Sequence, residues 1–508
     1  MHLQQNILSI LWLPQSFTLL IVVGVVMILI CFIYKVGIVP RRKLKRIGLP
    51  YPAPTFLKGN LFDYGADQQH IAQIEWGKKY GDAYAALFLY IPAVWIANPN
   101  TLKTILVKEF SSFSNRYPFT QALSPFDKTL PELKDHDWKR VRTILMTTVT
   151  ASKLRLTMPI IKHASDEFIH RLITADQKSQ KLDIWTLSGQ FSIQVILGTA
   201  FGIEVGSKQQ EEKLIKAASD IFRTENVGTI QIILRFLVFA NPIIFAPIER
   251  LLGGNFCSSV RHIVEITKAV IKERRNNLAH DRPCRKDVLQ YMIEADGSNQ
   301  LSDDEMISQA FVFLVAGYET TQNALTFACY SLATNPDIQR KLIDEIDSKF
   351  PISDSLDYNI VSEMPYLDMV IAETLRLYPP AITTNREVSQ SMIIDGIHIP
   401  KDVILAIPIY SIHRDPTYWH DPEQFIPERF TSEAKASRNP YAYLPFGIGP
   451  RNCVGMRLAL LELKVALVKT LQNIEFFANK ETEVPLKLKS LSTLSPVNPL
   501  YLGIRKRF

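Results

Sequence analysis

The chain has 508 residues, of which 47% are hydrophobic and 21% charged. That is enough apolar content for a large core and too little charge for a disordered protein. The net charge of +7 is a mild basic excess without a stripe of arginines and aromatics, which argues against a nucleic-acid partner.

Residues 17–34 carry no charge. As a helix rising ~1.5 Å per residue they would span about 27 Å, close to the hydrocarbon thickness of a bilayer. A cleaved signal peptide is the competing reading, but residues 1–6 lack Lys and Arg and the apolar run is longer than a normal signal core. The cations Arg41, Arg42, Lys43, Lys45 and Arg46 follow the run instead. The positive-inside rule then places residues 1–16 in the lumen, 17–36 in the membrane and the chain beyond about residue 40 in the cytosol. Pro50, Pro52 and Pro54 alternate, so 37–60 is expected to be a basic, proline-rich, semi-rigid spacer. One large domain, 61–508, follows it.

Residues 83–89 and 94–97 flank Tyr90-Ile91-Pro92 and predict a hairpin, whereas most of the remainder has helical period. Residues 227–252 are apolar on too many sides for a surface helix, and Pro242 and Pro247 rule out a second span. That segment is either buried or dips into the membrane surface. Leu301-Ser302-Asp303-Asp304-Glu305-Met306 is a helix start, with Ser302 and Glu305 as a capping box and Leu301 and Met306 as the apolar staple. No breaker interrupts that helix before Asn335-Pro336. Another opens near Pro365 and must stop by Tyr378, because Pro379-Pro380 follows.

The five cysteines, Cys31, Cys257, Cys284, Cys329 and Cys453, include no CxxC pair, so neither a zinc site nor a disulfide framework is expected. Four read as buried small hydrophobes. Cys453 is different. It lies in Phe446-Gly447-Ile448-Gly449-Pro450-Arg451-Asn452-Cys453-Val454-Gly455, a tight turn with an apolar helix starting at Met456. A thiol at a helix N-terminus meets unpaired N–H groups and the positive end of the dipole, which favours thiolate. Gly455 would let a flat macrocycle approach the backbone, and Arg451 is placed to meet an anionic group. The glycine spacing is wrong for a dinucleotide-binding loop.

This segment resembles the cytochrome P-450 superfamily, whose haem-binding signature Phe-x-x-Gly-x-Arg-x-Cys-x-Gly is matched at every specified position. The resemblance implies haem b as cofactor, Cys453 as the axial ligand of its iron, and Phe446, Arg451 and Gly455 as residues around it. Glu373-Thr374-Leu375-Arg376 matches the family's Glu-x-x-Arg, and Pro427-Glu428-Arg429-Phe430 supplies the second arginine. Together they imply a buried structural network of Glu373, Arg376 and Arg429. Ala316-Gly317-Tyr318-Glu319-Thr320-Thr321 matches the oxygen-binding segment of the central helix. There Thr320 can bond back to a helix carbonyl or leave that bond for a ligand. Gly317 would make room for a diatomic ligand, and Glu319 and Thr320 would relay protons as an acid–alcohol pair. Trp138 and Arg142 match the helix that contacts a haem propionate, and Arg386 occupies another position where the family carries a propionate cation.

The resemblance covers essentially the whole chain. Residues 365–380, 413–430 and 446–464 look most like the animal microsomal family 3, near whose branch lies thromboxane synthase, an isomerase. A mainly α fold with a small β-rich lobe is therefore expected, preceded by one transmembrane helix and held in the endoplasmic reticulum membrane with the catalytic domain facing the cytosol. The implied activity is insertion of one oxygen atom into a lipophilic steroid, fatty acid or xenobiotic. Electrons would come from a separate NADPH–cytochrome P-450 reductase, with cytochrome b5 as a further partner, and Lys139, Arg140, Arg457 and Lys464 are expected to dock the acidic donor. The alternatives are a reductase-independent haem-thiolate isomerase of a lipid peroxide and a non-enzymatic haem ligand sensor. By analogy, the pocket walls fall at 119–126, 311–315, 381–384 and 492–496.

Overall fold

The structure is a computed structural model, and it describes residues 15–65, 67–117, 124–202, 208–222, 254–295, 300–350, 356–490 and 493–508. The expectations for residues 1–14, for the apolar segment 227–252, for most of the wall at 119–126 and for Ser492 lie outside the described residues.

Helix α1 (Gln15–Phe32) runs through a π-helical stretch, Ile33–Ile38, into α2 (Val39–Ile47). The stretch Val22–Ile47 is long and apolar enough to cross a membrane, and large side chains in its first half, such as Met27, Ile28 and Leu29, are exposed. From residue 37 on, the structure departs from the expected spacer. Pro40, Leu44 and Ile47 recur at helical spacing, so α2 has a narrow apolar face that is buried in the domain, while the cations point outward. Arg41 Nη2 donates to the Pro54 carbonyl at 2.5 Å, and its guanidinium lies 5.2 Å from the centre of the Phe56 ring. The 37–60 segment is thus docked on the domain.

The β lobe is small. Strands β1 (Ala83–Phe88), β2 (Ile91–Ile96), β3 (Thr383–Glu387) and β6 (Ile404–Pro408) form one sheet in the order β1-β2-β6-β3, with only β2 and β6 parallel. Between β3 and β6, β4 (Met392–Ile394) and β5 (Ile397–Ile399) make a separate hairpin. Two more pairs, β7 (Ile474–Phe477) with β10 (Gly503–Lys506) and β8 (Leu488–Lys489) with β9 (Ser495–Pro496), form near the C-terminus. The first hairpin turns earlier than its sequence suggests, because Pro92 sits inside β2. Pro92 faces Leu87, whose N–H and C=O are both used by Asn60, and pairing to β6 begins only at Ala93. No ladder bond is asked of the missing proline N–H.

The main core lies among α4 (Ala151–Gln177), α5 (Ile184–Ile196), α6 (Asp303–Thr334) and α8 (Met456–Asn473), where Phe168, Phe191, Leu325 and Leu467 meet. Two further helices complete the frame of the site: α3 (Asp135–Thr148) and α7 (Pro365–Leu377). Helix α6 opens on the capping box: the Ser302 hydroxyl accepts from Glu305 N–H, and the Glu305 carboxylate accepts from Ser302 N–H at 2.8 Å. Leu301 and Met306 are both buried beneath it. Its 32 residues cross the domain and are buried on nearly all sides.

On α7, Glu373 and Arg376 are fully buried. Arg376 Nε and Nη2 donate to the two oxygens of Glu373 at 2.7 and 2.9 Å, and Arg429 Nε donates to Oε1 at 3.2 Å. Arg376 also donates to the carbonyls of His413, Pro422 and Gln424, so one ion group stitches α7 to the 413–430 segment. Removing one partner strands buried charge. Glu373→Ala is expected to cost about 3–5 kcal/mol of stability, read as the urea midpoint of the detergent-solubilised protein; a loss below about 1 kcal/mol would show the network to be dispensable. Glu462 on α8 is the opposite case. Burial pushes its carboxyl up to about 8 despite a hydrogen bond from Thr321. The folded chain therefore holds a proton there that the unfolded chain has released, and stability falls as pH rises from the ordinary carboxylate range toward about 8. Glu462→Gln should remove that part of the slope, measured as the difference from the parent at each pH.

Candidate active site

The cysteine turn is built by its glycines. Gly447 and Gly449 have φ of +67° and +76°, and a Cβ on Gly449 would lie 2.4 Å from the Leu106 carbonyl oxygen. Cys453 N–H donates to the Phe446 carbonyl at 2.9 Å and closes the turn. Gly455 caps α8, so its N–H and that of Met456 reach the Cys453 sulfur. These N–H groups, Arg116 and Arg142 all pull the thiol down, as the sequence leads one to expect. Burial outweighs them, however, and the thiol stands above its ordinary range. Cys453 is enclosed by protein yet its surface is accessible, so it lines an interior cleft. A Cβ on Gly455 would meet only Cys453 Sγ, at 4.0 Å, and its backbone has negative φ. The glycine leaves room there; the backbone does not demand it.

Four arginines converge beside this turn, and the structure sorts them by what their donors are doing. Arg142, one turn after Trp138 on α3, donates from Nη1 and Nη2 to the carbonyl and side chain of Asn452 at 2.9 and 2.5 Å. Its hydrogen bonds fix the residue before the cysteine, and its charge acts on the sulfur. Arg451 lies 4.1 Å from the centre of the Trp138 ring and donates to the carbonyls of Ser114, Leu130 and Leu133 and to Asn115. It clamps the turn to two distant segments. Arg386, on β3, is buried, and its Nε has no hydrogen-bond partner among the described residues. Arg116, which the sequence motifs did not single out, donates to Thr384 Oγ1 at 3.0 Å and lies within electrostatic reach of Cys453. Burial lowers all four guanidinium pKa values, that of Arg451 to about 9, and repulsion from neighbouring arginines adds to the effect at Arg116, Arg386 and Arg451. Such a cluster calls for an anion.

On α6, the Thr320 hydroxyl donates to the Ala316 carbonyl at 2.5 Å, and Ala316 is exposed in the middle of an otherwise buried helix. Glu319 is buried and accepts from Thr493 Oγ1 at 2.7 Å. Gly317 does not serve the purpose expected of it. A Cβ there would lie 2.8 Å from Ile196 Cδ1, so the glycine allows α5 to pack closely on α6 and does not clear space for a ligand. Phe311, expected on a pocket wall, is buried edge-on against Phe126 at 4.9 Å, whereas Ala381 is exposed.

Two other expectations change. Lys464 is buried, paired with Asp368 at 2.8 Å and bonded to the Ser362 carbonyl, so it cannot dock a partner. Arg140 is tied to Glu305, which leaves Lys139 and Arg457 as the exposed cations of that set. Of the other cysteines, Cys329 is buried as expected, but Cys31 is exposed on the anchor and Cys284 half-buried. The side chain of Cys257 lies outside the described residues.

The residues fit a flat, anionic metal complex. A thiol that the protein alone keeps protonated becomes a thiolate once it binds a cation. Gly455 leaves space beside the sulfur, and Arg386 and Arg116 offer guanidinium groups to acidic substituents. Comparison with known proteins agrees. The family described as Cytochrome P450 matches residues 49–503. The chain is 36% identical over 483 residues to cytochrome P450 3A29 of Sus scrofa, covering 94% of each chain. It is 37% identical over 474 residues to cytochrome P450 3A5 of Homo sapiens, covering 91% of this chain and 92% of the other. These relatives do not favour the isomerase alternative. The chain therefore belongs to the cytochrome P450 family, as a haem b-dependent monooxygenase.

Proposed function

We propose that Cys453 is the axial ligand of the haem iron and that the enzyme oxidises lipophilic small molecules of the steroid, fatty-acid or xenobiotic kind. The observation that carries this is the cysteine turn itself: a sulfur at a helix N-terminus, lining an interior cleft, with Arg116 and Arg142 acting on it and the unpartnered Nε of Arg386 in the same arginine cluster. Bound haem supplies dioxygen activation, in which a cysteine thiolate favours O–O cleavage, as is general for cytochromes P450. The chain's residues provide the rest. Gly455 and Met456 N–H groups and the Arg116 and Arg142 charges favour the anionic form of the sulfur, offsetting part of the burial that opposes it. Arg386 and Arg116 would hold the propionates, while Arg451 and Trp138 brace the turn between them, with Phe446 closing it. Thr320 keeps a proton at Oγ1 on the exposed stretch of α6, and Glu319 holds a carboxylate one residue before it.

In this reading the apolar helix is a single-pass anchor in the endoplasmic reticulum membrane, with the basic cluster and the domain on the cytosolic side. Electrons come from NADPH–cytochrome P-450 reductase, with cytochrome b5 as a second donor, and Lys139 and Arg457 are among the exposed cations that meet them.

Reconstitution with reductase, NADPH, isotopically heavy dioxygen and a panel of steroids and fatty acids tests the proposal. A product carrying one heavy oxygen atom is expected, and Thr320→Ala should lower product per NADPH roughly tenfold or more. Product formation that continues without reductase would overturn the monooxygenase cycle in favour of isomerisation.

A further inference from the structure

The carboxylate of Glu319 does not stand alone on α6. It is the end of a directed chain of donors that reaches it from two other parts of the fold. Trp185 Nε1–H, at the start of α5, donates to Asn323 Oδ1 at 2.7 Å. Asn323 Nδ2–H donates to Thr493 Oγ1 at 2.9 Å, and the Thr493 hydroxyl donates to Glu319 Oε1 at 2.7 Å. Asn323 and Glu319 are four residues apart, so they share one face of α6 and both meet the same threonine. Asn323, Thr493 and Glu319 are all buried.

The direction of the chain follows from which groups can only donate. Indole N–H has no acceptor capacity, so Trp185 fixes the oxygen of the Asn323 amide on its own side and turns the amide nitrogen toward Thr493. That N–H occupies a lone pair of the threonine oxygen, and the single hydroxyl hydrogen is left for Glu319. The ends are anchored as well. The Trp185 carbonyl accepts from Gln322 Nε2 at 2.8 Å, Leu494 N–H donates to the Pro380 carbonyl at 2.9 Å, and Leu494 is fully buried beside Phe327 and Ile382. Amide and indole N–H groups do not dissociate near neutral pH. The chain therefore cannot refill the Thr493 proton, and it acts as a brace, not a proton wire.

We infer that Thr493, oriented by Asn323, is a positioning residue that sets the direction of the Glu319 carboxylate for proton delivery at the neighbouring Thr320. The inference rests on the proposal that Glu319 belongs to the proton-delivery pair. It assigns a role to the C-terminal segment around Thr493 beyond the pocket wall expected there.

The test uses full-length Thr493→Val, Thr493→Ser, Asn323→Leu and Glu319→Gln with reductase and NADPH, with and without a steroid probe. One readout is the share of NADPH electrons recovered as hydrogen peroxide. The other is the infrared band of the Glu319 carboxyl group, identified as the band that Glu319→Gln abolishes in pH-difference spectra. Thr493→Val should raise the peroxide share roughly five- to tenfold, the scale of one lost hydrogen bond, and shift the infrared band. Thr493→Ser should restore both. Asn323→Leu should shift the band in the same direction, and combined with Thr493→Val it should add nothing, because both act through one hydroxyl. A band and peroxide share unchanged in Thr493→Val, while Glu319→Gln uncouples strongly, would overturn the inference and leave the role of Glu319 intact. If Glu319→Gln itself leaves the peroxide share unchanged, both fall together.

Discussion

On the proposed reading, a sulfur that must carry negative charge inside a protein is the constraint on which the rest of this structure depends. Burial opposes the charge, and at Cys453 it prevails over the local help from the helix N-terminus and two arginines. The chain therefore prepares a thiolate without completing it, and completion needs a cation at the sulfur. The surrounding sequence serves that preparation. Left-handed glycines bend the turn against the Leu106 carbonyl, Gly455 leaves the side of the sulfur open, and Arg142 holds Asn452.

The arginines also show how one residue type is used for unlike purposes. Arg451 and Arg376 spend their donors on backbone carbonyls and act as clamps between segments far apart in the chain. Arg386 keeps a buried Nε–H that has no partner among the described residues, a cost in stability that a bound anion would offset. Helix α6 is held at its start by the capping box and packs closely on α5 at Gly317. The accessible stretch at Ala316 and Thr320 is thereby fixed on a rigid rod.

Much of this was legible in the sequence because the signals are local. The capping box, the helix-stopping prolines and the cysteine turn each depend on residues within a few positions of one another. What was missed depends on partners distant in the chain. Nothing near Arg116 marks it as part of the site; it joins only because its loop meets Thr384 on β3. Gly317 looked like room for a ligand, since Ile196, which fills that space, lies on another helix. Lys464 looked like a surface cation until Asp368 covered it. The spacer reading of 37–60 weighed its prolines and charges but not the Pro40, Leu44, Ile47 spacing that docks α2.

The central claim is that Cys453 is the thiolate ligand of the haem iron. It is tested most directly by reducing the parent and its Cys453→Ser variant, adding carbon monoxide and recording the visible spectrum of each. The expected result is a Soret band strongly displaced to long wavelength in the parent and absent from the variant. A histidine-like band in the parent, unchanged by the substitution, would contradict the claim.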